Sequence, residues 1–285
     1  MATSEAKSSI VIREITSLSE MRQVEELQKE VWGIADLEVF PALALIPMRE
    51  VGAVLIGAFD GEQMIGFVFG FPGQELRHSA GGSGRLILHS DMLAVRPECR
   101  VHGLGYKLKL AQRERALANG IDTITWTFDP LQSLNAHLNF GKLGVVADHY
   151  RINYYGETTS FLHQTGTDRL WVTWQLNSQR VRDRIENGTA RAVLSDEVPR
   201  VLRVSGEDEP ASLATDTKSE SVLAVEIPMD INRILRLNAE LAGRWRAATR
   251  SAFTGLLAAG FVVTDFCLGQ GQEGRVGRYR LAKTK

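Results

Sequence analysis

Apolar residues in this chain recur at two spacings, one helical and one alternating, and the change from one to the other marks its elements. Residues 10–15 form a short β-prone run. Leu18, Met21, Val24, Leu27 and Val31 then fall at helical spacing over 17–31. Residues 40–48 are apolar but broken by Pro41 and Pro47, which predicts a short helix or turn. Two β-branched and aromatic runs, 51–59 and 63–71, flank Asp60-Gly61 and predict a β-hairpin. Residues 78–84 are a Gly/Ser loop, and 86–95 read as a further strand. After a turn over 97–102, residues 103–119 are helical. Leu104, Leu108, Ala111 and Ala118 lie on one face, Lys107, Arg113 and Glu114 lie outside it, and Gly120 stands where a C-terminal glycine belongs. A strand over 123–128, a helix over 134–143 stopped by Gly144, and strands over 149–155 and 170–176 complete this stretch.

The composition changes beyond residue 177. Residues 179–203 are charged, and 204–221 are rich in Ser, Glu, Asp and Thr, so an exposed connection is expected. A last unit follows: a strand over 221–227, one long helix over 231–259, and strands over 261–268 and 276–281. On that helix Ile234, Leu237, Leu241 and Trp245 make an apolar stripe, with Arg233, Arg236, Arg244, Arg246 and Arg250 around it. The domains expected are therefore a tail over 1–9, an α/β domain over 10–177, a charged connection over 178–220 and an α/β appendage over 221–285. No repeat recurs at solenoid periods.

Charge narrows the possible partners. The 285 residues hold 33 Lys plus Arg against 34 Asp plus Glu, a net charge of −1. Such a chain has no general attraction to nucleic acid or to an anionic membrane. Cys99 and Cys267 are far apart and lack metal-ligand spacing, so neither a disulfide framework nor a metal site is expected. The first nine residues are small and polar, and no long uncharged apolar run occurs, so a cytoplasmic protein is expected.

The chemistry concentrates where the strand over 86–95 runs through Arg100, Val101, His102, Gly103, Leu104 and Gly105 into a helix. The first N–H groups of a helix lack partners within it and carry a partial positive charge, which suits an anion. Gly103 and Gly105 remove side chains where a phosphate must approach the backbone, and Arg100 adds a fixed charge with several donors. A plain tight turn would show the same glycines. The dinucleotide fingerprint fails because Leu108 stands where a third glycine is needed, and the P-loop fails for lack of Gly-Lys-Ser or Gly-Lys-Thr. A literal Gly-x-Gly-x-x-Gly does occur at 269–274, but a strand follows it, so it reads as a hairpin loop.

Downstream, Ser133, Ala136, Phe140, Gly144 and Val145 fall at the spacing of a second block. Together, Arg100-x-x-Gly103-x-Gly105 and this block resemble the GNAT superfamily of acetyltransferases, here a little-characterised bacterial branch. The resemblance covers about the first 175 residues. It implies a mixed, largely antiparallel sheet with flanking helices, and acetyl-CoA or another acyl-CoA as co-substrate. The pantetheine arm would lie along Leu93, Ala94 and Val95. The pyrophosphate would rest on the N–H groups of Arg100, Val101, His102, Gly103, Leu104, Gly105 and Tyr106.

The acceptor implied is a small-molecule or peptide amine. The family's Tyr acid falls on Phe140, which has no proton to give. Its usual Asn falls on Ser133, which leaves Asn135 and Asn139 as amides for the cofactor, though both also suit a solvated helix surface. His89, Asp91 and Asp129 are the candidate general bases, each equally able to serve a structural hydrogen bond; His89 and Asp91 are expected on one face of their strand. The alternative to an N-acyltransferase is a non-catalytic acyl-CoA sensor. The appendage is a packed helix on an added sheet, a lid, or a surface for a homodimer.

Overall fold

The computed structural model describes residues 10–75, 84–186, 195, 197–271 and 274–283. It is a mixed α/β fold with a largely antiparallel sheet, flanking helices and extra C-terminal strands. The described residues form two compact units, those within 1–124 together with 159–161, and those within 125–158 together with 162–285. The division falls inside a strand, not at the composition change near residue 178.

The first unit opens with β1 (Val11–Glu14) and α1 (Leu18–Trp32). Ser17 caps α1 by accepting from the Glu20 N–H, and the Glu20 carboxylate accepts from the Ser17 N–H, which fixes where the helix starts. Gly33, at φ 63°, closes it in the left-handed conformation. The proline-broken run forms α2 (Ala42–Glu50), with Pro47 inside it. The hairpin is β2 (Val54–Asp60) and β3 (Gln63–Glu75). Asp60 pairs with Gln63, so the two turn residues are Gly61 and Glu62, one position later than the sequence suggests. Gly61 takes φ 60°, and that requirement sets the register. The Gly/Ser loop, apart from Gly84, lies outside the described residues. β4 (Arg85–Val95) follows, and β1 to β4 pair antiparallel in chain order.

Beyond β4, a 3₁₀ turn over Pro97–His102 leads into α3 (Leu104–Ala118). Helices α1 and α2 bury Met21, Val24, Leu27 and Leu45 against Phe67, Phe69, Met92 and Ala94. Helix α3 packs on the opposite face, where Leu108 lies against Gly66. Its buried residues are Leu104, Leu108, Lys109, Gln112 and Ala116, whereas Ala118 is exposed. The apolar pattern picked out the first two of these and missed the polar pair. Thr159–Phe161 also belongs to this unit: the Ser160 hydroxyl donates to the Trp32 carbonyl at 2.7 Å, and the Ala35 N–H donates to Thr159 Oγ1 at 2.8 Å.

The second unit takes up the chain within β5 (Thr123–Phe128). The expected helix over 134–143 is one α turn, α4 (Ser133–Ala136), followed by a π-helical stretch over His137–Leu143 that ends at Gly144, φ 76°. β6 (Val146–Arg151) ends earlier than the apolar pattern predicts, because Asn153 turns the chain at φ 44°. β7 (Arg169–Gln175) and α5 (Gln179–Ile185) follow.

The expected exposed connection over 204–221 is in part a sheet. β8 (Arg200–Ser205) and β9 (Glu209–Ser212) pair antiparallel, and β8 runs parallel to β10 (Val222–Pro228). The expected single long helix is two, α6 (Ile231–Leu237) and α7 (Ala239–Ala258). Asn238 stands between them with extended backbone, φ −154°, and its side chain caps α7 by accepting from the Leu241 N–H at 3.0 Å. The break leaves Leu237 72% exposed and removes it from the stripe. β11 (Phe261–Gln270) and β12 (Arg275–Lys283) form the last hairpin, as the sequence predicts for 269–274. Within this unit the strand order is β5-β7-β6-β11-β12-β10-β8-β9.

Candidate active site

The site begins in β4, whose pairing with β3 slips by one residue. Met92 pairs with Phe69 and His89 with Phe71, so Gly70 alone faces both Ser90 and Asp91. This is a β-bulge, which breaks the ladder locally and bends the strand. Gly70 is required there, because a Cβ on it would stand 2.8 Å from the His89 carbonyl oxygen. Past the bulge, Leu93, Ala94 and Val95 pair regularly with Val68, Phe67 and Gly66.

The bulge corrects the expectation that His89 and Asp91 share a face. His89 packs on Phe71, ring centres 5.6 Å apart, and Met92 joins the apolar cluster with Phe69, so these two occupy the same face three residues apart. Ser90 is buried on the α3 side, where it accepts a hydrogen bond from Lys109. Asp91 occupies the bulge itself and reaches the surface. Surrounding atoms still limit the water around its carboxyl, and that desolvation raises its pKa above the usual aspartate value.

The turn after β4 carries Arg100, an exposed side chain whose Nε donates to the Val95 carbonyl at 3.2 Å. Gly103 takes φ 66°, ψ 23° and opens α3, and among the described residues no side chain caps the helix. It is exposed, and nothing stands within 4 Å of where its Cβ would be. The amides that follow, Leu104, Gly105 and Tyr106, belong to the first turn, whose N–H groups lack partners within the helix. An uncapped, solvent-facing helix start with a guanidinium alongside fits a diphosphate. Cys99 sits in the same turn; burial and the Glu98 charge push its thiol up, which keeps it protonated and poorly nucleophilic.

In the second unit, Asp129 is engaged elsewhere. Its two carboxylate oxygens accept from Arg246 Nη1 and Nη2, each at 2.8 Å, and Oδ1 also accepts from the Leu131 N–H. Both partners are buried. A general base must reach the proton it takes, and both oxygens of this buried carboxylate are instead occupied by Arg246, which removes Asp129 from the candidate bases. Arg246, placed on the outside of its helix by the sequence pattern, is a core residue.

Phe140 is fully buried, with Phe128 at 6.0 Å and Tyr279 at 5.8 Å between ring centres. Asn139 is buried and Asn135 exposed, so the two amides have different surroundings. Among the described residues no three His, Cys, Asp or Glu side chains gather as a metal site, and no single helix is long and apolar enough to cross a membrane.

Residues 18–144 match the model of the acetyltransferase (GNAT) family. No curated protein matches the chain. Solved structures similar to it include the ribosomal-protein-S18-alanine N-acetyltransferase from Escherichia coli, at 13% identity and a TM-score of 0.45, over 60% of this chain and 96% of that one. NAA60 of Arabidopsis thaliana in complex with acetyl-CoA is 13% identical, with a TM-score of 0.47, over 59% and 99%. An aminoglycoside 6'-acetyltransferase type Ii is 17% identical, with a TM-score of 0.45, over 59% and 99%. The uncapped start of α3 after a bulged β4 lies inside the stretch, residues 18–144, that matches the acetyltransferase (GNAT) family model.

Proposed function

We propose that this protein transfers an acyl group, acetyl in the simplest case, from acyl-CoA to an amine on a small molecule or peptide. The observation that carries this reading is the open, uncapped helix start at Gly103, reached directly from the strand that carries Leu93, Ala94 and Val95. In it the amides from Arg100 to Tyr106 bind the diphosphate. The backbone of Leu93, Ala94 and Val95 pairs with the pantetheine arm in the manner of an added strand. The thioester supplies an activated carbonyl and a thiol leaving group of ordinary pKa, about 8.5. Asp91 and His89 are the residues that take the proton from an ammonium acceptor. The raised pKa of Asp91 favours it, because a base works best when its pKa approaches the working pH.

One observation favours a second reading, a non-catalytic acyl-CoA sensor. Phe140 is walled into an aromatic cluster where the family often has its acid, and Asp129 is bound by Arg246. The two readings separate in one experiment on the full chain. Acetyl-CoA at 100 times its Kd raises the stability of either by about 2.7 kcal/mol. Thiol release on a panel of amines follows only if the protein is an enzyme. Stabilisation without turnover across the panel supports the sensor, and the absence of stabilisation by any CoA ester overturns both.

A further inference from the structure

Behind the bulge in β4 a lysine is buried where an apolar side chain would pack. Lys109 is 2% exposed, Gln112 0% and Ser90 6%. Lys109 and Gln112 lie three residues apart on α3 and share a face. Lys109 Nζ donates to Ser90 Oγ at 3.0 Å and to Gln112 Oε1 at 2.7 Å. Ser90 is one of the two residues that β4 sets against Gly70. Gln112 closes the same spot from above, its Nε2 only 3.0 Å from where a Cβ on Gly70 would be. Lysine, glutamine and glycine thus converge on the single irregular point of β4.

Packing alone does not explain a lysine here. Burial pushes its amine well below the usual lysine range, because a charge there loses its water. An apolar residue of similar volume in such a place is often neutral or stabilising. A bulge is also a soft point, because its extra residue leaves the ladder. This one precedes Leu93 by two residues. Lys109 sits five residues into α3, about 7.5 Å along the axis from its first residue. It therefore joins the helix that opens in the phosphate turn to the strand that runs into that turn.

We infer that Lys109, acting through Ser90 and Gln112, is a positioning residue for the acyl-bearing arm of the co-substrate: it clamps the bulge, so that Leu93, Ala94 and Val95 hold that arm at a set distance from the phosphate turn. This inference rests on the acyl-CoA reading. It predicts that the clamp matters for the arm and not for the diphosphate.

The test compares two ligands by calorimetry on the full chain. Acetyl-CoA has the arm, whereas 3′-phosphoadenosine 5′-diphosphate keeps the phosphates and lacks it. The Lys109→Met variant is expected to bind the diphosphate as the wild type does, within about twofold, and to bind acetyl-CoA about tenfold more weakly. Ser90→Ala removes one hydroxyl, preserves the fold more gently, and is expected to shift the ratio of the two affinities in the same direction. Variants that bind both ligands like the wild type, or lose both equally, overturn the inference while leaving the acyl-CoA reading intact. A wild type that binds neither ligand overturns the acyl-CoA reading itself.

Discussion

Among single residues, the second unit depends on two ion pairs set by one face of α7. Arg246 and Arg250 stand four residues apart. The first binds Asp129, and the second binds Asp168 through Nε at 2.8 Å and Nη2 at 2.9 Å. Removing one partner of a buried pair leaves a charge without its counter-ion and costs about 3–5 kcal/mol. Arg246→Met should lower the urea midpoint accordingly, and Arg246→Met combined with Asp129→Leu should recover much of the loss. Asp168 gives a pH signature. Burial alone would raise its pKa, but hydrogen bonds from Arg250, the Asn153 N–H and Tyr150 outweigh it and hold the carboxyl below its ordinary 3.8. A depressed carboxylate pKa contributes stability that is fully present above 3.8 and is lost as pH falls through the folded value. The thermal midpoint of the wild type should therefore fall more steeply below that pH than that of Asp168→Asn.

The elements differ in how far local sequence declares them. The helix over 17–31, the hairpin at Gly61 (its turn one position out) and the run from β4 into α3 were legible because each rests on residues adjacent in the chain. The bulge was not, since one extra residue leaves no mark in a strand's composition, yet it decides which way His89 and Asp91 point. The burial of Lys109 and Gln112 went unread for the same reason: Ser90, which Lys109 bonds, is 19 residues from it in sequence. Arg246 finds its carboxylate 117 residues away, beyond any local pattern. β8 was hidden by Arg200 and Arg203, which put two charges into a six-residue strand, and the break at Asn238 by an apolar stripe that continues through it.

Two glycines test these elements. Gly70→Ala should cost about 1–3 kcal/mol by overpacking the bulge. Gly103→Ala, forced to φ 66°, should cost about 1–2 kcal/mol and weaken acetyl-CoA binding, while Gly61→Ala, also in the left-handed region, should cost as much and leave that binding unchanged. Urea unfolding and calorimetry check both.

At the scale of the whole molecule, the family match ends at residue 144, but the second unit continues to the end of the described chain. The first six strands in its order, β5-β7-β6-β11-β12-β10, read as the same arrangement from either end. A strand, a helical segment and two strands (β5 to β7) are followed by a second such set (β10 to β12), with β6 and β11 meeting antiparallel at the centre. No sequence repeat announces this.

The C-terminal residues also supply Arg246, Phe253 and Tyr279 to the core around Asp129, Tyr150 and Phe140. A chain ended at residue 177 should accordingly be degraded rapidly in limited proteolysis where the full chain resists. The central claim concerns where acyl-CoA sits, and amide hydrogen exchange of the full chain with and without acetyl-CoA measures that most directly. Protection should appear at Leu93, Ala94 and Val95 and at Gly103 through Tyr106. Saturating acetyl-CoA that leaves those amides unprotected, or protects a different part of the chain, would contradict the account.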